Sequence, residues 1–144
     1  MVSSAPQIRY PDCYGIDMAK LQDFIAFQAA LELHKDNGNH QAVLDQIYAR
    51  CKEDEEQMAV NHVKSFYEAF SDNQISEKIA TLLRNESIKA EVSVIYQSIP
   101  NLHHACPENL GDWYFSGNYP TPGGNRMVNR AFMNFYEGKE KRAY

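Results

Sequence analysis

Apolar residues recur at helical spacing through most of the first 85 positions of the chain. From about Ala19 to His34 they form a broad stripe, and Asp17 is placed to cap the start of this predicted helix. A second and a third helix are predicted before residue 71, and the acidic run 53–56 suits the first turn of the third helix. Ser71, with Gln74 three residues later, predicts a capping box that opens a fourth helix.

The periodicity changes near residue 90. Apolar and polar residues alternate over 91–97, which predicts a strand of about seven residues. Ser98 is placed to cap a short helix, and Pro107 prevents a long one. Residues 111–124 are rich in aromatic residues, glycine and proline, so an irregular loop is predicted there. A last helix is predicted from about Asn125 to Tyr136.

The first residues of the chain have the pattern of a strand that is leaving an open sheet. Val2 is followed by small residues and then by Pro6, as where a strand of an α/β sheet passes into a functional loop. No residues precede this stretch to supply neighbouring strands. We therefore expect the chain to be the tail of a larger enzyme, with part of the chemistry residing elsewhere.

Composition and charge narrow the class of protein. The 144 residues suit one domain, and 14 basic against 19 acidic side chains give a net charge of −5, which argues against a nucleic-acid partner. No apolar run approaches the roughly 20 residues that span a bilayer, and no signal peptide is recognisable. Three cysteines do not make a disulfide framework, so we expect a cytoplasmic location.

Other candidate chemistry is weak. His103 and His104 precede Cys106, but adjacent helical residues point about 100° apart, so a zinc site is not expected. The glycines at 123–124 fit neither a P-loop nor a dinucleotide fingerprint, and a turn is the simpler interpretation. The isolated histidines at positions 34, 40 and 62 are expected at the surface or at its boundary with the core.

Three stretches carry a resemblance to a known family. Residues 3–18 (SSAPQIRYPDCYGIDM) resemble the final strand and loop of glutamine phosphoribosylpyrophosphate amidotransferases, also called amidophosphoribosyltransferases. Residues 92–97 (VSVIYQ) resemble a strand that follows in this family, and residues 113–121 (WYFSGNYPT) resemble its aromatic patch. The three stretches occur in the order that the family has.

The resemblance implies an α/β fold that is predominantly helical, the last part of a phosphoribosyltransferase-type domain with few strands. Residues 1–31 would end the core and form the following helix. Residues 32–89 would be an inserted helical block, and residues 90–144 would supply the strand, aromatic loop and final helix. The inserted block has no counterpart in ordinary members; it could cover a domain surface, enlarge an oligomer contact or bind a regulator.

The implied parent reaction joins glutamine-derived ammonia to phosphoribosylpyrophosphate, the first step of de novo purine synthesis. It needs an N-terminal cysteine nucleophile and a loop that cradles the 5-phosphate at a helix start. This sequence has neither, because Cys13 is internal and adjacent threonines are absent. The segment alone is therefore expected to be inactive and to serve interdomain coupling and structure.

The resemblance also assigns site residues. It places Tyr14, Gly15, Asp17 and Phe24 at the domain junction, near the path that carries ammonia between the two active sites. An apolar wall such as Phe24 suits neutral ammonia, which would be protonated on meeting water. The residues alone favour an ordinary core position for Phe24, and they indicate a simple helix cap at Asp17, which is compatible with the family role.

Cofactors and partners follow from the same resemblance. The parent is expected to use magnesium, whereas this segment is expected to hold no cofactor. Some members bind an iron–sulfur cluster, but a cluster needs four well-placed thiolates and only three scattered cysteines occur here. The expected partners are the glutaminase and phosphoribosyltransferase domains of the parent, within a homo-oligomer. The alternatives are a free-standing helical interaction module that uses its aromatic loop, and a catalytically silent regulatory subunit.

Overall fold

The computed structural model describes residues 1–11, 20–84, 86–109 and 111–140. The chain is predominantly helical there, as predicted, and a 3-10 turn at Leu21–Asp23 precedes the first helix. The α-helices in this part of the chain are α1 Ile25–Asp36, α2 His40–Glu53, α3 Lys64–Glu68, α4 Asp72–Leu83, α5 Ile99–Ala105, α6 Trp113–Ser116 and α7 Pro122–Tyr136. None of the helices described is long and apolar enough to cross a membrane.

Helix α1 begins at Ile25, later than the predicted start near residue 19. Lys20 and Phe24 both have extended backbone, and the 3-10 turn lies between them. The turn brings two apolar side chains into the core, because Leu21 is fully buried and Phe24 is only 4% exposed. The predicted cap, Asp17, lies outside the described residues.

The third predicted helix is reduced to the five residues of α3. The acidic run ends α2 instead of opening α3, since Glu53 is the last residue of α2 and Asp54 is its C-cap. Met58 then adopts a φ of +42° with its side chain fully buried, so the chain leaves the helical path to fill the core. The prediction of a long third helix was therefore wrong.

Two asparagines of α7 hold the loop that follows Met58. The Asn125 side chain donates to the Ala59 carbonyl at 2.7 Å. The fully buried Asn129 donates to the Val60 carbonyl at 2.8 Å and accepts from the His62 amide at 3.1 Å. These bonds pair three backbone groups of an irregular loop that has no helical hydrogen bonds of its own at these positions.

Helix α4 begins as predicted. The Ser71 hydroxyl accepts from the Gln74 amide at 3.2 Å, and the Gln74 side chain accepts from the Ser71 amide at 2.9 Å. This reciprocal pair is the predicted capping box, and it satisfies two backbone donors at the helix start. Ile75 and Ile79 are fully buried on the face that packs against α1.

An aromatic cluster fills the centre of the core. The Phe27 ring stacks on Phe66 with centroids 4.8 Å apart, and it meets Phe135 edge-on at the same distance. Helix α1 also packs against α2, and α2 packs against α7. The core thus joins the central helices to the end of the chain.

Helix α7 begins at Pro122, earlier than the predicted start near Asn125. Proline suits the first position of a helix, where its missing N–H would have no intrahelical partner. Gly123 and Gly124 lie inside the helix, so the turn predicted for them is wrong. Gly124 is buried against Tyr119, and a Cβ there would lie within 2.7 Å of Tyr119 Cβ and closer to the ring.

Candidate functional site

The predicted strand at 91–97 is extended and pairs in parallel with the start of the chain. The segments 1–5 and 93–97, here called the parallel ladder, share a bridge between Val2 and Ile95. The four backbone hydrogen bonds, each given from donor to acceptor, are Met1 to Ser93 at 2.8 Å, Ile95 to Met1 at 2.9 Å, Ser3 to Ile95 at 2.8 Å and Gln97 to Ala5 at 3.3 Å. The paired part is therefore shorter than the strand predicted from alternation.

Both outer edges of the parallel ladder are open in the part of the chain that the structure describes. The bonded residues are odd-numbered, so the backbone groups of Val2 and Ser4 face one outer edge and those of Val94 and Tyr96 face the other. No described backbone hydrogen bond joins either edge to a third segment. Parallel strands normally lie within sheets covered on both faces. The described residues thus form one isolated parallel bridge whose two outer edges are both unpaired.

The aromatic loop, residues 113–121, binds the N-terminal segment just beyond the ladder. The Tyr114 carbonyl accepts from the Arg9 amide at 3.0 Å and from the Tyr10 amide at 3.2 Å. The Tyr119 hydroxyl donates to the Pro11 carbonyl. Three consecutive residues of the N-terminal segment are therefore held by the aromatic loop.

Gly117 allows this close approach. It has a φ of +74°, which L side chains rarely adopt, and it forms the left-handed C-cap of α6. A Cβ at this position would lie 2.7 Å from Tyr10 Cζ and 2.8 Å from Asn61 Nδ2. The buried Asn61 side chain donates to the Gly117 carbonyl at 3.0 Å, so this turn has contacts on both sides.

A polar network ties the N-terminal segment to α4. Gln7 is 5% exposed, and its Nε2 donates to the Asp72 carbonyl at 2.9 Å and to Ser76 Oγ at 2.7 Å. Its Oε1 accepts from Arg9 Nε at 3.1 Å and from Nη2 at 2.7 Å. Arg9 also pairs with the Asp72 carboxylate at 2.5 Å. The Arg9 charge is thereby neutralised within the protein.

Two buried tyrosines underlie this network, and both phenols are protonated near neutral pH. Burial raises the pKa of both Tyr10 and Tyr67, so both phenols stay protonated. Their rings meet edge-on at 5.4 Å, and the Tyr67 hydroxyl donates to the Arg9 carbonyl at 2.8 Å. They act as structural supports for the N-terminal segment.

A cavity of about 750 Å³, here called the α4 groove, separates α4 from the segment 91–99. Ala5 bonds to Gln97, and Gln7 bonds to Asp72, so the first turn of α4 lies beside the end of the extended segment. The helix and the segment therefore run in opposite directions along the groove. Pro6 and Phe115 also line the groove.

The structure describes one of the four residues that the resemblance assigns to the ammonia path. Phe24 lies in the hydrophobic core, in the same cluster as Leu21 and Phe27. Tyr14, Gly15 and Asp17 lie outside the described residues. The position of Phe24 is thus that of a buried apolar residue at the entrance to α1.

A second cleft, of about 330 Å³, contains a histidine–carboxylate pair. His62 Nε2 lies 3.0 Å from Asp54 Oδ2, and both side chains are partly buried. Such a pair activates a nucleophile when one adjoins it. Cys51 is fully buried, and its burial, with the nearby Asp54 charge, raises the pKa of the thiol to about 12. The thiol is therefore protonated and unreactive near neutral pH.

One of the three isolated histidines does not lie at the surface or at its boundary with the core, where all three were expected. His34 is 2% exposed, packs against the rings of Phe66 and Phe70, and has Nε2 2.9 Å from the Phe66 carbonyl. Its predicted surface or boundary position was wrong, because the hydrogen bond lets the imidazole enter the core.

Metal-ligating residues do not converge in the described ranges. His103 faces Asp112 at 3.1 Å, whereas Cys106 is exposed. No group of three histidine, cysteine or acidic side chains within the described residues could hold a metal ion. Cys13 lies outside the described residues.

The comparisons with known proteins add no relative. No known protein family, curated protein or solved structure matches the chain significantly. The function proposed below therefore rests on the residues and on the contacts just described.

The network of Gln7, Arg9 and Asp72 has no counterpart among the predictions made from the sequence. The burial pattern at residues 7–9 is the opposite of the usual one: the apolar Ile8 is exposed, whereas the polar Gln7 and Arg9 on either side of it are less exposed.

Proposed function

We propose that this chain is the C-terminal segment of a glutamine phosphoribosylpyrophosphate amidotransferase, where it completes the fold and couples the domains. The parent enzyme would release ammonia from glutamine and use it to displace pyrophosphate from phosphoribosylpyrophosphate. The observation that supports the proposal is that the described part of the first stretch, residues 3–11, meets the other two stretches in space. The first and second form the parallel ladder, and the third binds residues 9–11.

The open edge of the segment 1–5 supports a continuation into a larger sheet. Val2 is 81% exposed and Met1 is 72% exposed, although both are apolar. A parallel strand supplied by the phosphoribosyltransferase domain would cover these side chains and would use the backbone groups of Val2 and Ser4. The remainder of the parent is thus the proposed partner, within a homo-oligomer and in the cytoplasm.

A coupling role suits the groups present in the described residues. Arg9 is neutralised by Asp72, and the phenols of Tyr10 and Tyr67 stay protonated. Such groups fix the position of a segment and do not exchange protons with a substrate. The place of Phe24 on the ammonia path rests on the resemblance alone, since its side chain is buried in the hydrophobic core.

The mass of the natural polypeptide tests this proposal. An antibody raised against the chain should detect, in a lysate of the source cells, a species several times heavier than 16.5 kDa. A product near 16.5 kDa would instead favour the free-standing interaction module or the regulatory subunit. Within the heavy species, deleting residues 113–121 should lower the yield of phosphoribosylamine.

Ligand binding by the isolated chain is a second test. Isothermal titration of phosphoribosylpyrophosphate into the purified 144 residues should show no binding, because the phosphate loop and catalytic cysteine are missing from this sequence. Micromolar affinity, or release of pyrophosphate by the chain alone, would contradict a purely structural role.

A further inference from the structure

We propose that the α4 groove binds an extended, positively charged peptide segment, which pairs with the backbone edge of Val94 and Tyr96. This site goes beyond the proposed function. The parent sheet would continue from the edge formed by Val2 and Ser4, on the other side of the parallel ladder. The two binding events can therefore be observed separately.

The lining of the groove places it along a strand edge. All nine residues from 91 to 99 border the cavity. Successive side chains of an extended segment point to opposite faces, so a cavity over one face would touch only alternate residues. Contact with every residue indicates that the groove follows the edge, where Val94 and Tyr96 present unused backbone groups.

The dimensions suit one added strand. The eight residues 91–98, which precede α5, span about 26 Å if extended, whereas a typical strand of five to six residues spans about 20 Å. Helix α4 forms the opposite wall and runs alongside the segment. An extended peptide between them could pair with the strand on one side and meet helix side chains on the other, as in strand addition at an open sheet edge.

The helix wall of the groove is polar, and the groove also has apolar lining. Ser76 and Thr81 lie on the wall, and both of their hydroxyls donate to backbone carbonyls of α4. Ala80 and Phe115 supply apolar surface. A peptide with alternating apolar and polar side chains matches these two surfaces.

Charge selects a basic peptide. Glu77 and Glu91 line the groove, are exposed, and have no ion-pair partner among the described residues. Asp72 is already paired with Arg9, and Arg84 is the one basic side chain of the lining without a described ion pair. The net charge of −5 over the whole chain adds a long-range attraction for basic segments and disfavours nucleic acid.

Fluorescence anisotropy with three labelled peptides tests the proposal on the 144-residue chain. The first is a peptide of about seven residues in which valine and lysine alternate. The second replaces lysine by glutamate, and the third is the first peptide with alternate backbone nitrogens methylated. The first should bind at least about tenfold more tightly than either of the others. Equal affinity for all three, or no binding of the first at millimolar concentration, would overturn the proposal.

Charge reversal in the chain provides a matched control. The double variant Glu77→Lys with Glu91→Lys should weaken binding of the valine–lysine peptide by about tenfold or more. The double variant Glu108→Lys with Glu140→Lys makes the same change in net charge at exposed positions outside the groove lining, and it should weaken binding far less. Equal effects of the two changes would mean that only net charge matters, which would contradict the site.

Amide chemical shifts locate the bound peptide. On addition of the valine–lysine peptide, the shifts of Val94 and Tyr96 should change most, since their backbone groups face the groove. Shifts confined to Val2 and Ser4 would place the peptide on the opposite edge and would overturn the assignment. Failure of the peptide site would not contradict the proposed function of the chain. The mass of the polypeptide in the lysate tests that function and does not depend on the peptide site.

Discussion

At the scale of single residues, a few small or polar side chains permit contacts that larger ones would prevent. Gly117 lets the aromatic loop reach Tyr10, and Gly124 lets α7 pack against Tyr119. Asn129 satisfies two backbone groups of the loop after Met58. At each of these positions the neighbouring atoms decide whether a larger side chain fits, so the effect of a substitution on stability differs sharply from one position to the next.

Neighbouring glycines of α7 provide a matched pair of substitutions. Gly124→Ala should destabilise the protein by about 1 to 3 kcal/mol, because the added methyl collides with the Tyr119 ring. Gly123→Ala should be neutral or stabilising by up to about 1 kcal/mol, since its nearest neighbour would be Thr121 Oγ1 at 3.8 Å. Urea unfolding of the two variants measures the difference, and equal stability would contradict the packing described for Gly124.

Thiol reactivity should separate two cysteines. In a Cys13→Ser variant, Ellman's reagent at neutral pH should titrate the exposed Cys106 quickly and Cys51 only after unfolding in guanidinium. The raised pKa of Cys51, about 12, lies roughly three units above that of a free thiol, which lowers its thiolate fraction about a thousandfold. Two fast thiols in the native protein would show that Cys51 is accessible.

At the scale of elements, local signals predicted best where a few adjacent residues decide the outcome. The capping box at Ser71 and the cap at Ser98 were predicted correctly, because each depends on one side chain and an amide three residues later. The starts of α1 and α7 were misplaced, since they are set by burial of Leu21 and by the packing of Gly124. Burial of Leu21 depends on the whole core, and the contact of Gly124 with Tyr119 depends on the path of the preceding loop; hydrophobic periodicity reports neither.

Helices α2 and α7 are joined by a reciprocal tyrosine clasp. The rings of Tyr48 and Tyr136 stack at 4.2 Å. The Tyr48 hydroxyl donates to Glu137 at 2.6 Å, and the Tyr136 hydroxyl donates to Asp45 at 2.7 Å. The hydrogen bond from Tyr136 lowers the pKa of Asp45, and bonds from Lys139 and then Tyr48 lower that of Glu137. The same bonds raise the pKa of both tyrosines.

The clasp predicts a bell-shaped pH dependence. Lowered carboxyl pKa values give stability that is present above about pH 4 and lost as pH falls through the folded-state values. Raised phenol pKa values give stability that is present below about pH 10 and lost as pH rises through the folded-state values. The double variant Tyr48→Phe with Tyr136→Phe keeps the stacked rings but removes both hydroxyl hydrogen bonds. Its urea midpoint should therefore be lower than that of the unaltered protein, and the difference should be largest near pH 7. A difference that is constant from acid to alkaline pH would contradict this assignment.

At the scale of the whole molecule, the parallel ladder and the aromatic loop bring the two ends of the chain together. Alternation at 91–97 predicted an extended segment, but no local pattern names its partner, because pairing depends on residues about 90 positions away. The bonds of the aromatic loop to residues 9–11 could likewise not be read from its composition. Long-range pairing is the part of this fold that the sequence did not predict.

Hydrogen exchange should reveal the ladder. Ile95 and Gln97 amides should be protected in the intact chain, whereas Val94 and Tyr96 amides should exchange quickly. Deleting residues 1–5 should remove the protection at Ile95 and Gln97, because their acceptors are lost, and should leave the buried α1 residue Ala30 protected. Val2→Ala, which changes only an exposed side chain, is the matched control. Unchanged protection of Ile95 after the deletion would contradict the pairing.

The direction of that pairing bears on how the sequence between the two segments can change. Parallel neighbours always require a crossover connection of a dozen or more residues, and here the crossover carries α1 to α4. Doubling the length of such a connection adds only about 0.6 kcal/mol of closure entropy. Additional residues can therefore be inserted between the core helices of the crossover over evolutionary time at little entropic cost, while the two paired segments keep their register.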